Sequence, residues 1–174
     1  TSAGDHQLYV SSMESLNRVV PRFNELPHPA RTSLIEGERR FLSETPMLDY
    51  STVVVAFAKA VEICLAQVIF APYKSICDAS VNISQQIETA KENKKSQATS
   101  LFTFLKLGQH LELGSMAHLL RLCNGRTAEK EHLIGALRNF IRAQLNGATF
   151  LDNETVEAIG LIAKEFRNPG AHSD

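Results

Sequence analysis

The residues best equipped for chemistry stand together in the stretch Lys164-Glu165-Phe166-Arg167-Asn168-Pro169-Gly170-Ala171-His172. Arg167 carries a permanent charge on a planar fork that matches a phosphate, and His172 carries the side chain that titrates nearest neutral pH. Between them the backbone must turn. Asn168 precedes a proline and is pushed out of the α region, Pro169 has no N–H to donate, and Gly170 readily takes positive φ. A helix therefore stops near Arg167, and four residues bring the chain round to His172. A phosphate clamp beside a proton-transfer group suits phosphodiester chemistry. The same residues also read, more plainly, as a helix stop that ends in a histidine.

The element that must position Arg167 is the last helix. Asp152 or Asn153 supplies its N-cap, Glu154 and Glu157 favour its N-terminal end, and Val156, Ile159, Ile162 and Phe166 line its apolar face, with Gly160 permitting close packing. Before it, Thr127 is predicted to cap a helix whose buried face is Leu133, Ile134, Leu137, Phe140, Ile141 and Leu145, stopped at Asn146-Gly147. Arg138 and Arg142 lie one turn apart on that helix. From Lys106 to Gly147 there are six basic residues and three acidic ones, the one local basic surplus in the chain, readable as a phosphate track through Arg138 and Arg142 or as a solvated face.

The longest helix is predicted from about Ser51 to Pro72, with Val54, Phe57, Val61, Leu65 and Val68 at three- and four-residue steps. It should be central, and Pro72 should kink or end it. Ile76 to Lys95 reads as a further amphipathic helix, and Leu105-Lys106-Leu107-Gly108 as the lead into a helix from Leu111 to Leu122. Residues 1–45 read as two peripheral helices: a stripe from Leu8 to Val20, then, after a stiff Pro27-His28-Pro29 linker, Arg31 to Ser43 with Leu34, Ile35, Phe41 and Leu42 apolar. Residues 46–174 form the main body. No strand pattern and no internal repeat emerges, and short breaks join the helices, as in an all-α antiparallel bundle.

Composition bounds the function. With 174 residues, 44% apolar and 21% charged, the chain has the make-up of a globular domain. A net charge of −1 excludes a generally basic nucleic-acid binder, so any RNA site must be local. Cys64, Cys77 and Cys123 share no metal spacing and read as buried thiols in a reducing, cytoplasmic compartment. His110 and His118, eight residues apart on one presumed helical face, are too few and too far apart for zinc; no metal and no cofactor is called for. No signal peptide is visible, and the run Val53 to Ala58, cut by Lys59, is short for a bilayer span, so no membrane partner is expected.

Arg167, four residues, then His172, with Asn168 following the arginine, resembles the R-x(4–6)-H motif of the HEPN superfamily, in which Arg-Asn-Pro-x-Ala-His is a frequent form. A Leu-Gly step opening a helix near Leu107-Gly108 also looks like several of those families. The resemblance covers roughly Asp49 to His172. It implies a small all-α bundle and a metal-independent endoribonuclease of defence, toxin–antitoxin or RNA-processing systems. His172 would serve as general base or acid, Arg167 as phosphate clamp, and Asn168 would orient one of them. It implies further a homodimer whose two sites share one groove, with RNA as substrate and a cognate antitoxin or effector domain as further partner. Glu62 could reach the site, since many HEPN domains carry a polar residue on their first core helix; alternatively Lys59 and Glu62 are a surface couple. Many relatives of this kind do no catalysis and serve as dimerisation, RNA-binding or partner-binding modules. In many a closing helix follows the histidine. Here either more chain follows, or the N-terminal helices fill that place, or the last helix closes the bundle.

Overall fold

In the computed structural model, residues 3–43, 50–80, 98–145 and 151–167 are described, and all regular structure among them is helical. The order is α1 Ala3–Val19, a 3-10 turn Phe23–Glu25, α2 His28–Phe41, α3 Ser51–Leu65, a π segment Ala66–Phe70, α4 Ala71–Ala79, α5 Thr99–Leu107, α6 Leu113–Asn124, α7 Thr127–Lys130, α8 His132–Gln144 and α9 Asn153–Arg167. The all-α expectation holds. By packing the chain divides into two compact units, Thr1–Cys64 and Leu65–Asp174.

In the first unit α1 packs on α2. Leu16, Phe23 and Ala30 are buried, and Ser15 donates a 2.6 Å hydrogen bond to Glu38. The helix α2 begins at His28, not at Arg31: Pro27 is its N-cap residue and Pro29 sits in its first turn. Pro-His-Pro is thus a helix start rather than a linker, because a first-turn proline gives up an N–H that has no helical partner anyway. Phe41 and Leu42 end this helix exposed, with Phe41 tilted 6.1 Å from Tyr50.

The predicted long helix runs further than its sequence suggested, from Ser51 to Ala79 without a break in helical structure. Pro72 does not end it. A proline ring crowds the carbonyl four residues back, here that of Val68, and the wider π turn over Ala66–Phe70 accommodates Pro72 in the first turn of α4. The inserted residue also shifts the phase of the buried face. Leu65 is buried as expected, but Val68 is 43% exposed, and the buried positions pass instead to Ile69, Phe70, Tyr73 and Cys77. Earlier in the helix, Val54, Phe57 and Val61 are only half-buried, whereas Val53, Ala58 and Ala60 are fully buried. Two alanines hold positions that a search for large apolar residues passes over. An 18-residue window of this helix has a mean hydropathy of 2.1, so by length and composition it could cross a membrane, contrary to the reading from Val53 to Ala58 alone. Buried core helices meet the same criterion.

In the second unit α9 packs on α6, and α8 packs on α6 and α7. Its core is Leu119, Leu120, Cys123, Ile134, Leu137 and Ile141, with Leu151, Val156, Ile159 and Ala163 also buried. Three expectations are corrected. Ile76 lies in α4, 44% exposed, instead of opening a new helix; residues 81–95 of that predicted helix lie outside the described set. Leu107-Gly108 closes a helix instead of opening one: Gly108 adopts φ 64°, ψ 19°, the left-handed C-cap that glycine takes without strain, and donates to the carbonyl of Phe104. The helix predicted from Thr127 is broken at Glu131, whose backbone is extended, giving α7 and α8 as a corner.

Candidate functional site

The helix that carries Arg167 is well anchored at its start. Asp152 is its N-cap: Oδ1 accepts from the backbone N–H of Thr155 at 2.6 Å, and Oδ2 accepts from the Thr155 hydroxyl at 3.1 Å. Asn124, at the end of α6, donates to Asn153 at 2.7 Å and ties the two helices together there. Val156, Ile159 and Ala163 then bury one face. The backbone of α9 is helical through Arg167, the last of the described residues. Asn168 and His172, and the turn predicted between them, lie outside the described residues, as do the side chains of Phe166 and Arg167.

Glu62 belongs to the first unit, and its carboxylate accepts from the Lys59 ammonium at 2.8 Å. The lysine side chain of this couple is 55% exposed and the glutamate only 18%. Arg138 and Arg142 do not form an even exposed track. Arg142 is exposed, but Arg138 is half-buried, with a buried Nε that lacks a partner among the described residues. Arg138 borders a pocket of about 480 Å³ shared with Glu129, Glu131, His132 and Asn139, where two acids offset its charge. His110 and His118 are both exposed but share no helix face: His110 precedes α6 in non-helical chain, and His118 is within α6.

A different basic constellation was not singled out by the sequence. Between α6 and α9 lies a groove of about 190 Å³ lined by Gly114, Ala117, His118 and Arg121 from one helix and Gly160, Ala163 and Lys164 from the other. A β-carbon on Gly160 would lie 2.7 Å from Arg121 Nη2, so the guanidinium occupies the space that the glycine leaves. The signal in the sequence was the pair of small residues three apart on each helix, each followed within four residues by a cation.

The three thiols are free. Burial pushes the Cys123 thiol up to about 12, against the opposing charge of Arg138. Burial likewise raises Cys77 and Cys64 above the ordinary thiol value, so none of the three is an activated nucleophile. Burial also raises Tyr73, and the neighbouring Cys77 thiol adds to the shift. Among the described residues no three His, Cys, Asp or Glu side chains gather as a metal site would need. No protein-family model matches the chain, and no curated protein or solved structure matches it either.

Proposed function

We propose that the chain is a HEPN-type, metal-independent endoribonuclease domain acting as a homodimer. One observation carries the reading: an anchored helix runs to Arg167, and the next residues are Asn168-Pro169-Gly170-Ala171-His172. Arg167 holds the scissile phosphate by a bidentate contact and stabilises the charge that builds on it. His172 takes the proton from the ribose 2′-hydroxyl or gives one to the leaving 5′-oxygen. Because one histidine serves both transfers poorly, a two-fold dimer supplies the second, an isologous arrangement common among oligomers. Asn168 orients the phosphate or His172. The product is a 2′,3′-cyclic phosphate, and the setting is defence, toxin–antitoxin control or RNA processing, with a cognate antitoxin or effector domain as partner.

A second reading, a non-catalytic dimerisation, RNA-binding or partner-binding module of the same superfamily, is favoured by the Leu107-Gly108 step, which ends a helix where the resemblance had it open one. Purified protein incubated with labelled RNA in excess EDTA tests both. Cleavage leaving cyclic phosphate ends supports the ribonuclease; intact RNA at high concentrations of a well-formed dimer supports the module.

A further inference from the structure

The groove between α6 and α9 unites features that belong to anion recognition. Among the described residues its lining contains three nitrogen-bearing side chains, His118, Arg121 and Lys164, and no acid. Elsewhere among the described residues many cations are neutralised locally: Arg22 by Glu25, Arg40 by Glu36, Lys59 by Glu62, Lys74 by Asp78. Arg121 and Lys164 have no such ion pair among the described residues, and both are exposed. The small residues let the two helices approach, which narrows the space between the cations. Gly160 then leaves the Arg121 guanidinium lying across α9, where any side chain would displace it.

Lys164 stands three residues before Arg167 on α9, a rise of about 4.5 Å. The groove thus lies one turn upstream of the residue assigned to the scissile phosphate. We infer that His118, Arg121 and Lys164 form a subsite for a neighbouring phosphate of the RNA backbone, which sets the register of the strand at Arg167. This subsite rests on the ribonuclease reading for its register, though its ability to bind a phosphodiester does not. Arg121 supplies the planar fork, Lys164 a point charge, and His118 a further ring N–H.

The test is fluorescence anisotropy with a labelled oligouridylate whose riboses are 2′-O-methylated, which binds but offers no 2′-hydroxyl for attack. Arg121→Gln and Lys164→Gln should each weaken binding roughly ten-fold, the value of one charge-assisted contact. Each should also flatten the dependence of log K on log salt by about 0.7, the share of one phosphate on a single strand. Both side chains are exposed, so the variants keep the fold. Gly160→Ala should weaken binding as well, with helix content retained and the thermal midpoint unchanged or raised, because it moves Arg121 off its seat. Unchanged affinity and salt slope in Arg121→Gln and Lys164→Gln overturn the subsite, as does wild-type protein that binds no oligonucleotide. Displacement of the oligonucleotide by inorganic phosphate at equal phosphate concentration and matched ionic strength overturns the backbone assignment in favour of a free-anion site. Failure of the ribonuclease reading is separately visible: wild-type protein would bind the probe through Arg121 yet leave unmodified RNA intact.

Discussion

The carbonyl oxygen of Ala128 lies 2.7 Å from the point where a side chain on Gly135 would begin. This contact explains the corner between α7 and α8. The break at Glu131 folds a four-residue helix back against the first turn of the next, and only a residue without a β-carbon tolerates a backbone oxygen there. Gly160 has the same 2.7 Å approach, but to the far end of a flexible arginine. The two glycines therefore separate on substitution. Gly135→Ala should lose about 1–3 kcal/mol, since backbone must move. Gly160→Ala should be neutral or gain about 0.5–1 kcal/mol, because alanine is the better residue within a helix and Arg121 can swing away. Urea denaturation of both variants checks this; equal losses would contradict the steric distinction.

The Asp152 cap makes a second, independent prediction. Asp152→Ala should cost about 1 kcal/mol, the usual value of a lost N-cap, and Asp152→Asn much less, because asparagine caps as well. Equal losses in the two variants would instead assign the effect to the carboxylate charge at the helix N-terminus. The measurement is the urea midpoint of each variant.

The buried thiols give stability a definite alkaline limb. Cys123 moves from an ordinary 9.0 to about 12 in the folded chain, and Cys77 and Tyr73 shift in the same direction. Between those values the unfolded chain has released a proton that the folded chain keeps, so stability declines as pH rises. The contribution of Cys123 is constant below about pH 9 and is lost progressively toward about pH 12. Urea midpoints measured across this range should fall, and less steeply in Cys123→Ala. An unchanged slope in that variant would remove Cys123 as a cause.

The fold class was legible because apolar spacing is a property of each helix by itself. Asp152 was readable as a cap for the same reason, and Gly160 as a point of close approach. What could not be read depended on partners distant in sequence or on departures from regular geometry. The π turn before Pro72 adds one residue and rotates the buried face from Val68 to Ile69, and no α-helical template anticipates that. Gly108 looked like a helix start because a glycine between leucine-rich runs fits either end; only its positive φ decides. The groove of His118, Arg121 and Lys164 escaped because its cations come from two helices about forty residues apart in sequence. By contrast, Arg138 and Arg142 looked like a pair because one turn separates them, and half-burial of Arg138 broke the pair.

The proposed chemistry makes the last prediction. In excess EDTA, His172→Ala should lower RNA cleavage by about 10²–10⁴-fold, the usual contribution of a positioned proton-transfer group. Arg167→Lys should also lower it severely, since an ammonium keeps the charge but cannot make the planar two-point contact with phosphate. Asn168→Ala should have a smaller effect. The Lys59–Glu62 couple supplies an internal control: Glu62→Gln breaks this ion pair in the first unit. If Glu62 only serves that pair, its substitution leaves the cleavage rate near wild type while His172→Ala removes it. A fall comparable to that of Arg167→Lys would instead bring Glu62 into the site. Single-turnover rates with labelled RNA, read beside circular dichroism of each variant, distinguish lost chemistry from lost fold. Cleavage that persists in His172→Ala would transfer the activity to another residue, and loss of wild-type cleavage on chelation alone would refute the metal-free mechanism.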